Sequence, residues 1–380
     1  MKIVDVKVTP LMLYQQVAER LGTGISGLGS CLVELRTDDD LVGIGEACAT
    51  GMGEAYVGVK AFIERGYKPL LLGEDPTNYR YLWDKMHNCS WFADTGVGMA
   101  ALSGVDMAMV DLVGKALKVP ACKLLGGYFR EKVRPYASHP WVTPRTHKEV
   151  CREAVELVEK GFTAIKMSFA KFPSFGENLR EDMKYVKEIR DAIGYDIDLM
   201  ISDQAPPRSV SKAIKMARKL EEYDLLFWED ALPRGDIEGY AKLTAAVDLP
   251  IEVGEEMTNQ MLKYFIFRRA VDAVNPDATQ IGGLSETRKI AEIAQSAGIR
   301  VYPHGFWSAI SAAANVHLMA SMPDAPDALM EYRTSLPHAS MQELLEEPLR
   351  FAKGYIEVPK APGLGIELNR KVVEKIEWKS

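Results

Sequence analysis

Cysteine is scarce and unpatterned. The five in 380 residues, Cys31, Cys48, Cys89, Cys122 and Cys151, are odd in number and lack a C-x-x-C pair. Neither a disulfide framework nor a thiolate zinc site is indicated, and they read as reduced thiols. No uninterrupted apolar run approaches the ~20 residues of a membrane span. The opening Met1-Lys2-Ile3-Val4-Asp5-Val6-Lys7-Val8 alternates like a strand, with no basic segment followed by an apolar one, so the expected address is cytoplasmic. Basic residues are not in excess: 46 Lys and Arg against 53 Asp and Glu, interspersed, give a net charge of −7. Such a surface offers no face for a phosphate backbone, and neither nucleic acid nor membrane is an expected partner. With 47% apolar and 26% charged residues, the chain has the composition of an ordinary globular protein.

What is present is a repeat. Three short apolar runs each end in an acid: Leu199-Met200-Ile201-Ser202-Asp203, Leu225-Leu226-Phe227-Trp228-Glu229 and Leu249-Pro250-Ile251-Glu252-Val253-Gly254-Glu255. Asp203, Glu229 and Glu255 are 26 residues apart, with helical patterns such as Ala213 to Leu220 between them. Repeated strand-then-helix units imply parallel strands that all end on one face. Three carboxylates would then converge at one rim, where they would repel one another unless a cation joined them. A hard divalent ion, one Mg2+ per chain, is the first expectation. A different alignment of the first run would put Ser202 in the ligand position; the 26-residue spacing favours Asp203.

The series extends in both directions. Val133 to Ser138 and Ala164-Ile165-Lys166-Met167-Ser168 precede it, and Ala273 to Asp277, Ile299 to His304 and Ala328 to Glu331 follow. Eight such units specify a TIM-like barrel with its active site at the C-terminal rim of the strands. Residues 1 to about 60 look antiparallel, with a glycine-rich loop from Gly22 to Gly29, and residues 54 to about 125 look helical. Asp106 and Asp111 in the long apolar helix are expected as caps or buried hydrogen-bond partners rather than ligands. The tail, with Pro362-Gly363-Leu364-Gly365, is expected to return to the N-terminal sheet. The expected domains are 1–126, a barrel over 127–350, and the tail 351–380.

The strand ends read Lys166, Asp203, Glu229, Glu255, Asp277, His304 and Glu331. Asp277 beside His304 would fix the imidazole tautomer and make a general base. A base next to a cation suits abstraction of a proton α to a carboxylate, with Lys166 stabilising the enediolate electrostatically. Glu331 would donate to the developing oxyanion if held protonated.

The ordered strand-end set, with Val253-Gly254-Glu255, Pro276-Asp277, Ile281-Gly282-Gly283 and Lys123-Leu124-Leu125-Gly126-Gly127, resembles the enolase superfamily, mandelate racemase subgroup, over nearly the whole chain. The resemblance implies an α+β capping domain, made of the N-terminal region and the tail, over a modified (β/α)7β barrel. It also implies magnesium on Asp203, Glu229 and Glu255, the Asp277/His304 pair as base, Glu331 near the substrate carboxylate, and a homo-oligomer. Loops at Gly22 to Gly29 and Thr50 to Gly53 would select the substrate, with Gly24 and Trp307 among the expected contacts. Two departures stand out. The family's Lys-x-Lys reads Lys166-Met167-Ser168, and its Asp-x-Asn reads Asp203-Gln204-Ala205.

Racemisation needs an acid and a base on opposite faces, and Ser168 is a poor base. Elimination of a β-hydroxyl needs one base that takes the α-proton and returns it to the leaving group. Dehydration of a sugar acid to a 2-keto-3-deoxy acid is therefore the leading expectation, with Ser168 or Lys171 binding substrate hydroxyls. The alternatives are a racemase, epimerase or cycloisomerase that uses Lys166 or Lys171 as second base, a Schiff-base aldolase on Lys166, and an inactive metal-binding paralogue.

Overall fold

A computed structural model describes residues 1–14, 28–48, 55–89, 94, 96–138, 146–168, 178–202, 209–305, 307–323, 328–334 and 342–378. The chain opens with a three-stranded antiparallel sheet, β1 (Ile3–Tyr14), β2 (Leu28–Thr37) and β3 (Val42–Ala47), in that order. Helices α1 (Ala55–Ala61), α2 (Tyr79–His87) and α3 (Gly96–Leu117) follow. At 22 residues, α3 is long and apolar enough on average to cross a membrane, although its sequence holds no uninterrupted apolar run of that length. It is instead buried along nearly its whole length. A helix enclosed on all sides needs no polar face, which accounts for its composition.

The sheet lies on α3 so closely that a Cβ at Gly45 would stand 2.2 Å from the Gly104 carbonyl oxygen. The two acids within α3 tie the molecule together, as expected for buried hydrogen-bond partners. Asp111 accepts from the backbone N–H groups of Ile44 (2.8 Å) and Leu364 (2.7 Å), and Asp106 accepts from that of Ser285 (3.0 Å). The last contact explains Ile281-Gly282-Gly283. Gly283 has φ 88°, and a Cβ there would lie 2.2 Å from an Asp106 carboxylate oxygen.

The remainder is a barrel. Its strands are β4 (Lys132–Ser138), β5 (Ala164–Ser168), β6 (Asp198–Ser202), β7 (Leu225–Glu229), β8 (Ile251–Val253), β9 (Ala273–Val274), β10 (Arg300–Val301) and β11 (Leu329–Arg333). They alternate with seven helices: α4 (His147–Glu159), α5 (Leu179–Ile193), α6 (Val210–Leu220), α7 (Ile237–Thr244), α8 (Asn259–Phe267), α9 (Gly283–Ser296) and α10 (Ala309–Ser321). Neighbouring strands pair in parallel from β4 through β10, and β11 pairs in parallel with β4. Between β10 and β11 the Glu331 N–H reaches the Pro303 carbonyl at 3.1 Å. Past β11, Gln342 and Glu343 are helical, and the hairpin β12 (Phe351–Ala352) and β13 (Tyr355–Glu357) adds antiparallel to β4. This is the (β/α)7β arrangement. From there the tail crosses α3 at Leu364 and reaches the N-terminal sheet, where the Trp378 N–H donates to the Pro10 carbonyl (2.9 Å) and Arg370 pairs with Glu34 (2.7 Å) after α11 (Arg370–Ile376) begins.

Beneath the rim, seven strands fill the barrel with one apolar residue each: Tyr136, Ala164, Met200, Phe227, Ala273, Tyr302 and Leu329. Because side chains alternate along a strand, residues two further on point the same way. That rule generates the next layer directly: Ser138, Lys166, Ser202, Glu229, Asn275, His304 and Glu331.

A histidine outside this layer gives a stability prediction. His317 of α10 is fully buried, with its Nε2 3.0 Å from the Leu364 carbonyl oxygen and its Nδ1 3.4 Å from the Cys122 N–H. Burial pushes its pKa down to about 4 from 6.5. A depressed folded value means that its contribution is fully present above about pH 6.5 and is lost as pH falls towards 4, amounting to about 3 kcal/mol. Urea unfolding of the wild type and of His317→Gln across that window should show their stability difference shrinking as pH falls. A constant difference would sink the assignment.

Candidate active site

The layer above the apolar plug is built around Lys166. Its Nζ lies 2.7 Å from Glu229 and 3.0 Å from Glu331, at the ends of three strands, and the side chain is 5% exposed. Burial would lower the lysine pKa, but the two carboxylates outweigh it and hold the ammonium charged, well above its ordinary value. Glu229 also accepts from Asn275 Nδ2 at 2.6 Å, and the Asn275 Oδ1 accepts the Glu255 N–H at 3.0 Å. Asn275 thus fixes two of the expected acids at once. Sequence reading passed over it as a strand residue, although its place two positions beyond Ala273 marks it as inward-facing.

His304 is held from both sides. Its Nδ1 lies 2.6 Å from Asp277, whose carboxylate also receives the Trp307 indole N–H (3.0 Å) and the Thr279 N–H and hydroxyl (2.7 Å each). Its Nε2 faces Glu255 at 3.1 Å and Glu331 at 3.5 Å. Burial disfavours the charged ring, yet Glu331, Glu255 and Asp277 together raise its pKa well above the usual value. Trp307, expected against the substrate, is 1% exposed and serves the Asp277 carboxylate.

Glu331 corrects an expectation. Burial alone would raise its pKa and keep it protonated. Lys166, His304 and a hydrogen bond from Ser138 outweigh that and place it below the ordinary carboxylate range. It is an anion here, not an oxyanion donor.

Glu255 has a further partner that its motif did not announce. Arg234, in the turn after β7, pairs with Glu255, Glu256 and Asp230, the last at 2.5 Å. The capping sheet also reaches this rim. Buried Glu46 of β3 accepts from Ser30 (2.5 Å) and, at the start of α10, from the Ser308 hydroxyl (2.7 Å) and the Ser311 N–H (3.0 Å). Cys48 N–H donates to Thr279, the residue that orients Asp277.

Asp203, Lys171 and Gly24 lie outside the described residues, as do Thr50 to Gly53 and most of the Gly22 to Gly29 loop. Ser168 ends β5, opposite Ser202. The residue on β6 level with Glu229 is Ser202, which is 6% exposed. Among the described residues, no three His, Cys, Asp or Glu side chains stand together as a ready metal-binding group. The donor chemistry nevertheless suits a hard divalent ion. Glu229 and Glu255 supply carboxylate oxygens from adjacent strand ends, and Glu252 beneath them has both carboxylate oxygens buried without a hydrogen-bond partner.

Fold and site together define a capped (β/α)7β barrel whose rim carries carboxylates, a buried lysine and a histidine–aspartate pair. Residues 22–126 match the mandelate racemase/muconate lactonizing enzyme N-terminal domain, and residues 149–372 match the enolase C-terminal domain-like family. The chain belongs to the enolase superfamily, in its mandelate racemase subgroup. It is 33% identical over 370 residues to an arabinonate dehydratase of Saccharolobus solfataricus, covering 95% of each chain. It is 32% identical over 351 residues to a D-galactarolactone cycloisomerase of Agrobacterium fabrum, covering 89% of each. A racemase from Streptomyces coelicolor A3(2), solved with bound magnesium, superposes with a TM-score of 0.84 at 25% identity, covering 99% of this chain and 100% of the other.

Proposed function

We propose that this protein is a magnesium-dependent hydro-lyase that removes the proton α to the carboxylate of a sugar acid and expels the β-hydroxyl as water, giving a 2-keto-3-deoxy acid. The observation that carries the reading is that the described rim offers one base. His304 is oriented by Asp277, whereas Lys166 is locked as a cation between Glu229 and Glu331. A one-base site suits elimination, in which His304 takes the α-proton and delivers it to the departing hydroxyl on the same face. Relatives that dehydrate sugar acids, such as the arabinonate dehydratase, support the reaction class.

Lys166 faces the negative charge that builds on the substrate carboxylate as the enediolate forms. A divalent cation on Glu229 and Glu255 would add positive charge there and, by engaging Glu255, relieve His304 of one of the carboxylates that keep it protonated. Glu331, anionic beside His304 and Lys166, orients both.

The test is a library of aldonic and aldaric acids incubated with magnesium, with 2-keto acid detected as its semicarbazone and α-proton exchange followed in deuterated water. The expected result is keto acid from at least one substrate, abolished by EDTA and restored by magnesium. Exchange without keto acid would overturn elimination and favour a racemase, epimerase or cycloisomerase, the last being the activity named for the Agrobacterium fabrum relative.

A further inference from the structure

The capping sheet grips the histidine–aspartate pair from two directions, and both grips come from the end of β3. Glu46 on that strand is fully buried. One of its oxygens accepts from Ser30 of β2 at 2.5 Å, and the other accepts the Ser308 hydroxyl at 2.7 Å and the Ser311 N–H at 3.0 Å. Ser308 is the N-cap residue of α10, and its hydroxyl also accepts the Ile310 N–H at 3.1 Å. Glu46 therefore fixes the first turn of a barrel helix from outside the barrel, at amide groups that a helix start leaves without partners of its own.

Helix α10 carries two contacts to the base. Trp307, the residue before its N-cap, donates the indole N–H to Asp277 at 3.0 Å, and Asp277 in turn meets His304 Nδ1 at 2.6 Å. Further along the helix, the Asn315 amide donates to the His304 carbonyl oxygen at 2.7 Å. The second grip is shorter. The Cys48 N–H reaches the Thr279 carbonyl at 3.2 Å, and Thr279 donates twice to the same Asp277 carboxylate. Packing alone does not call for an acid at this junction, because an apolar side chain would join sheet and helix without the cost of burying a carboxyl.

We propose that Glu46 is a positioning residue for proton transfer: by holding the start of α10, it sets how Trp307 meets Asp277 and so how His304 is aimed at the substrate. This role rests on His304 acting as the base in the proposed elimination. It makes the cap a contributor to turnover as well as a cover. The effect belongs in kcat rather than KM, since a misaimed base slows the proton transfer and leaves the groups that hold the substrate in place.

The experiment compares the full chain, loaded with magnesium, as wild type, Glu46→Ala, Glu46→Gln and Ser30→Ala, on whichever aldonic or aldaric acid of the library turns over fastest. In parallel, the Trp307 indole N–H resonance of the 15N-labelled proteins is followed without substrate and assigned with Trp307→Phe. Glu46→Ala should lower kcat by about 100-fold with KM within roughly threefold, and should shift the Trp307 resonance. Glu46→Gln keeps an oxygen for Ser308 and Ser311 and an amide for Ser30, so it should hold kcat within about threefold of wild type and leave the resonance in place. Ser30→Ala cuts only the bond on the cap side and should behave like Glu46→Gln. Ser308→Ala breaks the same link from the barrel side, and the same fall in kcat with a shifted resonance keeps the test decisive if Glu46→Ala folds poorly. A kcat that stays within about threefold of wild type in Glu46→Ala, or falls with the Trp307 resonance unmoved, would overturn the inference alone. A wild type that turns over no acid in the library would overturn the reaction reading; the resonance then decides by itself, and an unmoved signal in Glu46→Ala overturns the inference too.

Discussion

His304→Asn is expected to lose about 10⁴-fold in the rate of α-proton exchange and of keto-acid formation, the upper range for removing a positioned general base. Asparagine can keep a hydrogen bond to Asp277 and leaves the Trp307 and Thr279 contacts in place, so the loss reports proton transfer rather than collapse of the pocket. The substitution also has a signature in stability. Three carboxylates, Glu331, Glu255 and Asp277, raise the imidazole pKa in the folded protein. A raised folded value means that the stabilisation is fully present below the unfolded pKa of about 6.5 and is lost as pH rises through the folded one. The wild type should therefore exceed His304→Asn in melting temperature most at pH 6, with the gap closing at alkaline pH. Retention of exchange within tenfold of wild type would remove His304 from its role.

Lys166→Met should be the most destabilising change at the rim. The ammonium is 2.7 Å from Glu229 and 3.0 Å from Glu331, and both acids are almost fully buried. Taking it away leaves two uncompensated carboxylates, for which a cost of about 3–5 kcal/mol is typical. Turnover should fall by about 10³-fold as well, because a positioned charge at the developing anion is lost. Urea unfolding of Lys166→Met, Glu331→Gln and the double variant separates the two effects. The double variant should recover much of the stability and none of the activity. An unchanged unfolding midpoint in Lys166→Met would show that the ammonium does not hold these acids.

Much of this could be read from residue order, for an identifiable reason. Parallel strands in a barrel end on one face, so a run of apolar segments tipped by Lys166, Glu229, Glu255, His304 and Glu331 names the rim without any knowledge of loops. The capping sheet and the return of the tail were legible in the same way, from alternation and from the weakening pattern after Glu331. What linear spacing could not resolve was the pleat. Equal spacing favoured Asp203 over Ser202; pairing places Ser202 level with Glu229, while Asp203 itself lies outside the described residues. Glu252 was hidden inside an apolar run, where an acid three residues before Glu255 looks like part of the same strand end. Glu331 could not be assigned a charge from sequence, because its state depends on Lys166, His304 and Ser138, which come from three other strands. Arg234 and Glu46 act across turns and between domains, and no local pattern marks such contacts.

One join in the barrel has a mechanical consequence. Among the described residues, β10 and β11 meet through the Glu331 N–H to the Pro303 carbonyl and the Gly305 N–H to the Glu331 carboxylate rather than through a ladder of paired residues, whereas β6 and β7 pair along four positions. His304 and Glu331 stand on opposite banks of this seam. The amides along it should exchange with deuterated solvent sooner than those of β5 to β7, because fewer bonds must break to open it. A staved vessel yields first at its loosest joint, and here that joint runs between the proton-transfer residue and the anion beside it, so small changes in their separation strain few other bonds.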